Sequence, residues 1–366
     1  MKKIIIICLT GFISLILYGQ DKIKLVPYDF QEKIKINRVK GSSANNENSD
    51  LIYSKNELNA ISIIVNPSDI NKAEKSQLKI INLFDKEGIL QATSQPLDLY
   101  DWIVIPMGDD NTVLVIFPAG TARKAIIKIL KKSGNSLKEI NKISRETTFF
   151  KIDISADGNY FVCGFSAFEE VSNKPEIKLY TRSGDLVWSN KIDEPRFYQV
   201  AISQKSIIGA SKDSPNKKGF IYLYDYQGKR LLKDEINSHI GNYRIESSDY
   251  SNDRYFAIST INNIYLFDSE KKLKIKDFSI DNKREISSYI LDKNGAIICA
   301  VMRKKYSQEN KNFEFSDKEL IIIDLQNKKR SIELVSDGEP MLYKRQNKAI
   351  LKMSNNKNEN YYEVQY

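Results

Sequence analysis

One histidine, His239, two tryptophans, Trp102 and Trp188, and three cysteines are all that the 366 residues offer of these types. A single imidazole excludes a multi-histidine metal centre, and no cysteine cluster stands in for one. A Ser-His-Asp arrangement would have to use His239, which sits in NSHIGN, a segment that reads as a loop. No Gly-rich phosphate loop is present. No stretch carries the apolar period of a helix of useful length. Machinery built on a metal, a phosphate loop or several imidazoles is thereby set aside, and no cofactor is expected.

What the chain does have is repetition. Hydrophobic alternating runs break into a turn and resume at LKIINLFDKEG (78–88), AIIKILKKSG (125–134), IKLYTRSG (177–184), IYLYDYQG (221–228), IYLFDSEK (264–271) and LIIIDLQN (320–327). The last apolar residue before each turn, Phe84, Leu130, Tyr180, Tyr224, Phe267 and Ile323, recurs at steps of 46, 50, 44, 43 and 56 residues. A second series of tight polar turns runs in parallel through Glu57, Asp110, Asp157-Gly158, Lys205, Asp253, Asn294-Gly295 and Asn347. Each unit therefore holds two hairpins and four short strands, the signature of β-propeller blades. In Ile221 and Leu223 against Tyr222 and Tyr224, both faces of one strand are apolar, so both must be covered, as in stacked blades. Gly88, Gly134, Gly184 and Gly228 share one offset past the strand end, where the turn wants a positive φ; Lys271 and Asn327 fill it in the last two units.

The expected fold class is thus all-β, a propeller of seven four-stranded blades, with six as the alternative. One further step past Ile323 reaches Tyr366, making YYEVQY (361–366) a third strand that lacks its fourth. KIKLVPY (22–28) can supply it and close the sheet edge. Residues 29–49 then form a polar connection, 21–50 in all serve closure, and 21–366 make one domain. The unit ISADGNYFVCGFS (154–166) followed by IKLYTRSGDLVWS (177–189) resembles a blade of the WD-repeat and quinoprotein-type β-propellers, a likeness that covers roughly residues 50–366. The tryptophan-docking motifs of quinoprotein enzymes are absent, so the resemblance does not imply a quinone.

Residues 1–20 stand outside this pattern. MKK, the apolar run IIIICLTGFISLILY and Gly19-Gln20 read as a secretory signal peptide. Cys8 lies too early in the apolar core to be a lipid-attachment site. The mature chain is expected in the periplasm or beyond, with no transmembrane segment after cleavage. Cys163 and Cys299 remain, predicted on second strands of the third and sixth units, too far apart for a disulfide and best read as small buried hydrophobes. Loss of Lys2 and Lys3 trims the formal charge from +9 to +7. Much of the excess sits in turns after third strands, at Lys131-Lys132, Lys271-Lys272 and Lys328-Lys329-Arg330, a solvated surface rather than a nucleic-acid stripe.

Asp153, Ser155, Asp157 and Gly158 open like a calcium loop, but position twelve is Gly164 where a bidentate Glu is needed, so the segment reads as a strand ending in an Asp-Gly turn. Two patterns point to recognition instead. Arg145, Arg196, Arg244 and Arg284 fall just before or at the start of the first strand of four successive units, where forked guanidinium groups could gather and take a carboxylate, sulfate or phosphate. The alternative is local pairing with Glu146, Glu194, Glu246 or Glu285. Connections between second and third strands are long at 66–77, 165–176, 211–219 and 303–319. Phe168, Glu169 and Glu170 in one, with Tyr306, Phe313 and Phe315 in another, offer aromatic anchors beside charge, suited to protein or glycan contacts. The sequence supports a noncatalytic exported module that binds a protein, peptide or cell-envelope component; a glycan-active hydrolase or lyase and a small-anion receptor are the alternatives.

Overall fold

A computed structural model describes residues 23–28, 52–54, 56, 58–99, 102–108, 111–117, 124–147, 150–166, 174–194, 196–203, 205–213, 218–237, 244–247, 254–260, 263–280, 283–292, 294–307, 312–326, 329–345, 348–355 and 358–366. Strands dominate them. Apart from two single-turn 3-10 segments, Pro67–Asp69 and Glu74–Ser76, no helix occurs among the described residues. The chain divides into two compact units, one of Lys33–His239 and one of Met1–Glu32 with Ile240–Tyr366.

In the unit of Lys33–His239 the strands form four antiparallel meanders in chain order. The first comprises Ile52–Tyr53, Asn59–Val65, Leu78–Asp85 and Leu90–Ser94. The second comprises Ile103–Pro106, Thr112–Phe117, Lys124–Ser133 and Ser136–Glu146. A short parallel contact, Ser136 with Thr93 and Leu137 with Ser94, joins these two into one larger sheet. The third is Phe150–Ile154, Tyr160–Phe165, Glu176–Thr181 and Leu186–Lys191. The fourth is Arg196–Ile202, Ile207–Asp213, Lys218–Tyr224 and Arg230–Asn237.

The other unit holds three more. Arg244–Ser247, Tyr255–Ser259, Asn263–Asp268 and Leu273–Ser279 make the fifth meander. Glu285–Leu291, Ile297–Ser307, Asn312–Ile323 and Lys329–Glu333 make the sixth. The seventh is composite: Met341–Arg345, Lys348–Asn355 and Asn358–Gln365 are completed by Lys24–Pro27 from the other end of the chain. Lys24 pairs with Gln365 and Pro27 with Tyr362, antiparallel, supplying the fourth strand that the repeat left missing.

Period-two side-chain alternation explains why these strands need neighbours on both faces. Phe161, Cys163 and Phe165 point into a core shared with Leu114, Ile116, Ile127 and Ile129 of the second meander. Val162 between them points the other way, into a core with Val200, Ile202, Ile207 and Tyr222 of the fourth. Similar cores lie between the first and second meanders, the fifth and sixth, and the sixth and seventh. Removing each such aliphatic or aromatic side chain from water contributes about 1.5–3 kcal/mol, so the layers between sheets carry the stability. Cys163 and Cys299 are buried and free in two different cores. Burial pushes both thiols up, that of Cys299 to about 12.

The turns after third strands are anchored by the preceding sheet. Trp188, on the fourth strand of the third meander, donates its indole N–H to Tyr226 O at 3.1 Å, and Asn190 Nδ2 donates to Gly228 O at 2.7 Å. Asn141 does the same for the previous turn, donating to Ser183 O at 2.8 Å. The fifth meander's turn is one residue longer than the offset predicted: the positive φ, 56°, falls on Lys272 and not on Lys271. Asp268, which ends that strand, accepts from the backbone N–H of both Glu270 and Lys271 and so holds the longer turn without a glycine.

Candidate functional site

In an antiparallel meander the connection between second and third strands leaves from the same end of the sheet as the start of the first strand. The arginines and the long connections singled out in the sequence therefore share an end within each meander. That end of each meander is the candidate site.

In the third meander it is fixed by ions. Arg145, near the end of the strand that precedes the meander, places Nη2 2.7 Å from Glu176 Oε2, and Lys178 Nζ lies 3.0 Å from the same oxygen. Glu176 opens the third strand and its side chain is nearly buried, so the two cations offset a desolvated carboxylate. Thr147 Oγ1 donates to Ser166 O at 2.9 Å, tying the approach to the first strand to the start of the long connection. Phe168, Glu169 and Glu170 lie outside the described residues. So does His239.

In the sixth meander Arg284 precedes the first strand and places Nη1 2.6 Å from Glu319 Oε2. Burial pushes the Glu319 carboxyl up, but hydrogen bonds from Ser331 and Arg284 outweigh it and hold the group below the usual carboxylate range. Glu176 and Glu319 stand at one offset, each four residues before the third-strand anchor, Tyr180 and Ile323. Of the acids expected as local partners, Glu146 and Glu285 are chain neighbours of Arg145 and Arg284, and Arg145 and Glu146, on one strand, point to opposite faces. Arg196 opens the fourth meander's first strand opposite Lys212, and Arg244 opens the fifth's opposite Ser259. Glu194, the expected partner of Arg196, is nearly buried and accepts from Lys233 Nζ at 2.8 Å and from Ser211 Oγ at 3.2 Å.

Within the connection at 303–319, predicted as a loop, residues 303–307 and 312–316 pair as a ribbon. The second and third strands of the sixth meander run 11 and 12 residues, whereas the first begins opposite Met302 and the fourth ends opposite Glu319. Beyond those points, among the described residues, the two long strands pair only with each other, from Arg303 with Ser316 to Ser307 with Asn312. A register shift between Val301 and Arg303, with Asp317 at φ 49°, marks the root of this arm as a bulge. Tyr306 pairs with Phe313 in the ladder and Lys304 with Phe315, so three of the predicted contact residues sit on strands rather than in a loop. Lys304 Nζ lies 6.0 Å from the centre of the Phe315 ring, and Arg303 Nη2 lies 3.0 Å from Asp317 Oδ2. The arm was not legible as a ribbon because RKKYS at 303–307 carries no apolar alternation and the NFEFS alternation at 312–316 is only five residues long.

The calcium-like segment is a structural turn. Asp157 Oδ1 accepts from Ser155 Oγ at 2.6 Å and from the Asn159 N–H at 3.0 Å, while Asp153 Oδ2 accepts from the Ile202 N–H at 2.8 Å in the next meander. The connection at 66–77 is folded on Asp69, whose nearly buried carboxylate lies 2.6 Å from Lys72 Nζ and accepts from the Leu78 N–H at 3.0 Å.

Four-stranded antiparallel meanders repeated along the chain, with apolar cores between successive sheets within each unit and the last sheet completed from the N-terminal side, define a β-propeller. No protein-family model matches the chain, and no curated protein matches its sequence. Among solved structures the chain is similar to BamB from Moraxella catarrhalis, at 11% identity over 86% of this chain and 82% of that one, TM-score 0.49. It is similar to Hsv2 from Kluyvelomyces marxianus at 11% identity, over 83% and 88% of the two chains, TM-score 0.49. An uncharacterized protein from Listeria monocytogenes EGD-e matches at 12% identity over 88% and 96%, TM-score 0.47. None of these likenesses assigns a residue or an activity to this chain.

Proposed function

We propose that this chain is an exported, noncatalytic propeller of seven blades that binds a protein, peptide or cell-envelope component through the sheet end from which the second-to-third-strand connections leave. Export rests on the N-terminal MKK and apolar run. The binding reading rests on the arm at 303–316. Ordering a residue's backbone costs about 1–2 kcal/mol, and a two-stranded ribbon alone is marginal in water. The side chains described on the arm, 303–305 and 314–316, are exposed apart from the half-buried Phe315, and such an arm is best accounted for by what it meets outside.

The arginines support the same reading in a positioning role. Arg145 and Arg284 would take an external anion only by giving up Glu176 and Glu319, and each pair instead holds the rim of a sheet in place. A photo-crosslinking residue in place of Lys305, on the arm, tests the proposal against one in place of Lys131, at the opposite end of its own meander. Adducts to a partner in the native envelope are expected from position 305 and not from 131. Equal labelling at both, or release of a new product from envelope glycans by the purified protein, overturns the reading.

A further inference from the structure

The fourth strand of the sixth meander follows the third only as far as Glu333 opposite Glu319. One more backbone bond, Leu334 N–H to Lys318 O at 2.9 Å, closes the ladder. The chain then leaves: the Asp337 N–H donates to Ser354 O at 2.8 Å in the seventh meander, and Lys318 Nζ, on a nearly buried side chain, donates to Ser336 O and pins the departure. Residues 312–316 are therefore left with a strand on one side only among the described residues. At about 3.4 Å per residue this free edge runs roughly 17 Å, an ordinary strand length. It continues the line of the fourth strand, so a strand added there would complete the sheet rather than start a new one.

The chemistry of the edge narrows what it takes. Glu314 is exposed at its middle, and the half-exposed Asp317 follows at its root. The arm's cations among the described residues, Arg303, Lys304 and Lys305, lie on the other strand, with Lys305 opposite Glu314 in the ladder. A second copy of the chain is disfavoured, because antiparallel pairing of two such edges about their centres sets Glu314 against Glu314, and like charges directly opposite are destabilising. An anionic membrane would be drawn to the cationic strand and not to this one.

We infer that residues 312–316 accept an extended segment of a partner protein as an added strand, with a basic residue opposite Glu314 and apolar residues beside it. This rests on the binding reading above and specifies its mode. Main-chain hydrogen bonds supply affinity, and the charge at 314 selects register and sign.

Two peptides of alternating Thr and Val, one with a central Lys and one with a central Glu, test it with the full mature protein. Wild type should prefer the central-Lys peptide about fivefold, the scale of one cross-strand charge pair, and Glu314→Lys should reverse the order. Glu314→Gln should abolish the preference while leaving weak binding of both. Bound peptide should slow amide exchange within 312–316. Equal affinity of wild type for both peptides, a preference untouched by Glu314→Lys, protection confined to other strands, or self-association that depends on Glu314 would each overturn the inference. Anionic vesicles that bind wild type and slow amide exchange within 312–316 would overturn it too. The two levels fail separately: crosslinks from position 305 that persist unchanged in Glu314→Lys leave the binding reading standing without this mode. Discriminating peptides without any cellular adduct leave the edge standing without the partner.

Discussion

Asp268 shows how one carboxylate does the work of a missing glycine. It is buried at the end of the fifth meander's third strand and takes Arg254 Nε and Nη2 at 2.9 Å each, along with two backbone N–H groups of its turn. Burial pushes its pKa up, but the Arg254 hydrogen bond and the backbone donors outweigh that and leave it below the usual carboxylate range. A folded-state pKa depressed in this way contributes stability that is present above the unfolded value, about 3.9, and lost as pH falls through the folded one. Asp268→Asn should cost about 2 kcal/mol at neutral pH, the scale of hydrogen bonds to a charged group. It should also flatten the wild type's loss of stability below about pH 4, so that the two proteins converge in acid. Urea denaturation across a pH series reads both, and a constant difference down to low pH would refute the assignment. At this scale the sequence was least legible. Arg145 and Glu176 are 31 residues apart, Arg284 and Glu319 are 35, and only the shared offset of the acids before Tyr180 and Ile323 signals them in hindsight.

At the scale of the element, turns were legible where backbone geometry dictates residue type. Gly88, Gly134, Gly184 and Gly228 all take positive φ, between 59° and 89°. They are not equivalent, however, because the neighbouring sheet approaches some and not others. A Cβ on Gly228 would lie 2.8 Å from Trp188 Cγ, whereas one on Gly134 would meet nothing within 4 Å. Gly134→Ala should therefore cost only the left-handed strain, about 1 kcal/mol. Gly228→Ala adds overpacking against a ring held by its own hydrogen bond to Tyr226 O, for a total of about 2–4 kcal/mol. Thermal denaturation of the two variants side by side decides it, and equal losses would mean that the indole moves aside freely. Sequence reasoning found these turns from one chain's residues alone but could not rank them, since the ranking comes from the sheet before. The arm escaped for the complementary reason: RKKYS at 303–307 carries no apolar period, so the five-residue alternation at 312–316 had no visible partner strand in the sequence.

At the scale of the molecule, the pairing of Lys24–Pro27 with the C-terminal strand was the boldest expectation from the sequence and is present in the fold. It was legible because a propeller's last sheet leaves an unpaired edge unless the other terminus fills it. A four-residue strand contributes little by hydrogen bonds alone, so its hold must come from side chains. Ile23 is buried and Leu25 packs beside it, among Leu342, Leu351 and Val364 of the seventh meander and Ile290, Ile298 and Leu320 of the sixth. Tyr366 extends the same closure, its hydroxyl donating to Asp292 Oδ2 at 2.7 Å while its ring lies 5.7 Å from the Arg330 guanidinium. Ile23→Ala should then cost about 2–3 kcal/mol, as for a buried aliphatic truncated in a core that cannot fully collapse. If the N-terminal strand were an incidental edge contact, its removal from the core would shift the midpoint by less than about 0.5 kcal/mol, the scale of a surface substitution. Deleting residues 23–28 sharpens the distinction: the exposed edge of Asn358–Gln365 should pair between molecules, giving association that grows with concentration and is absent from Ile23→Ala. A deletion protein that stays monomeric and keeps the wild-type melting temperature would show that the seventh sheet needs no fourth strand.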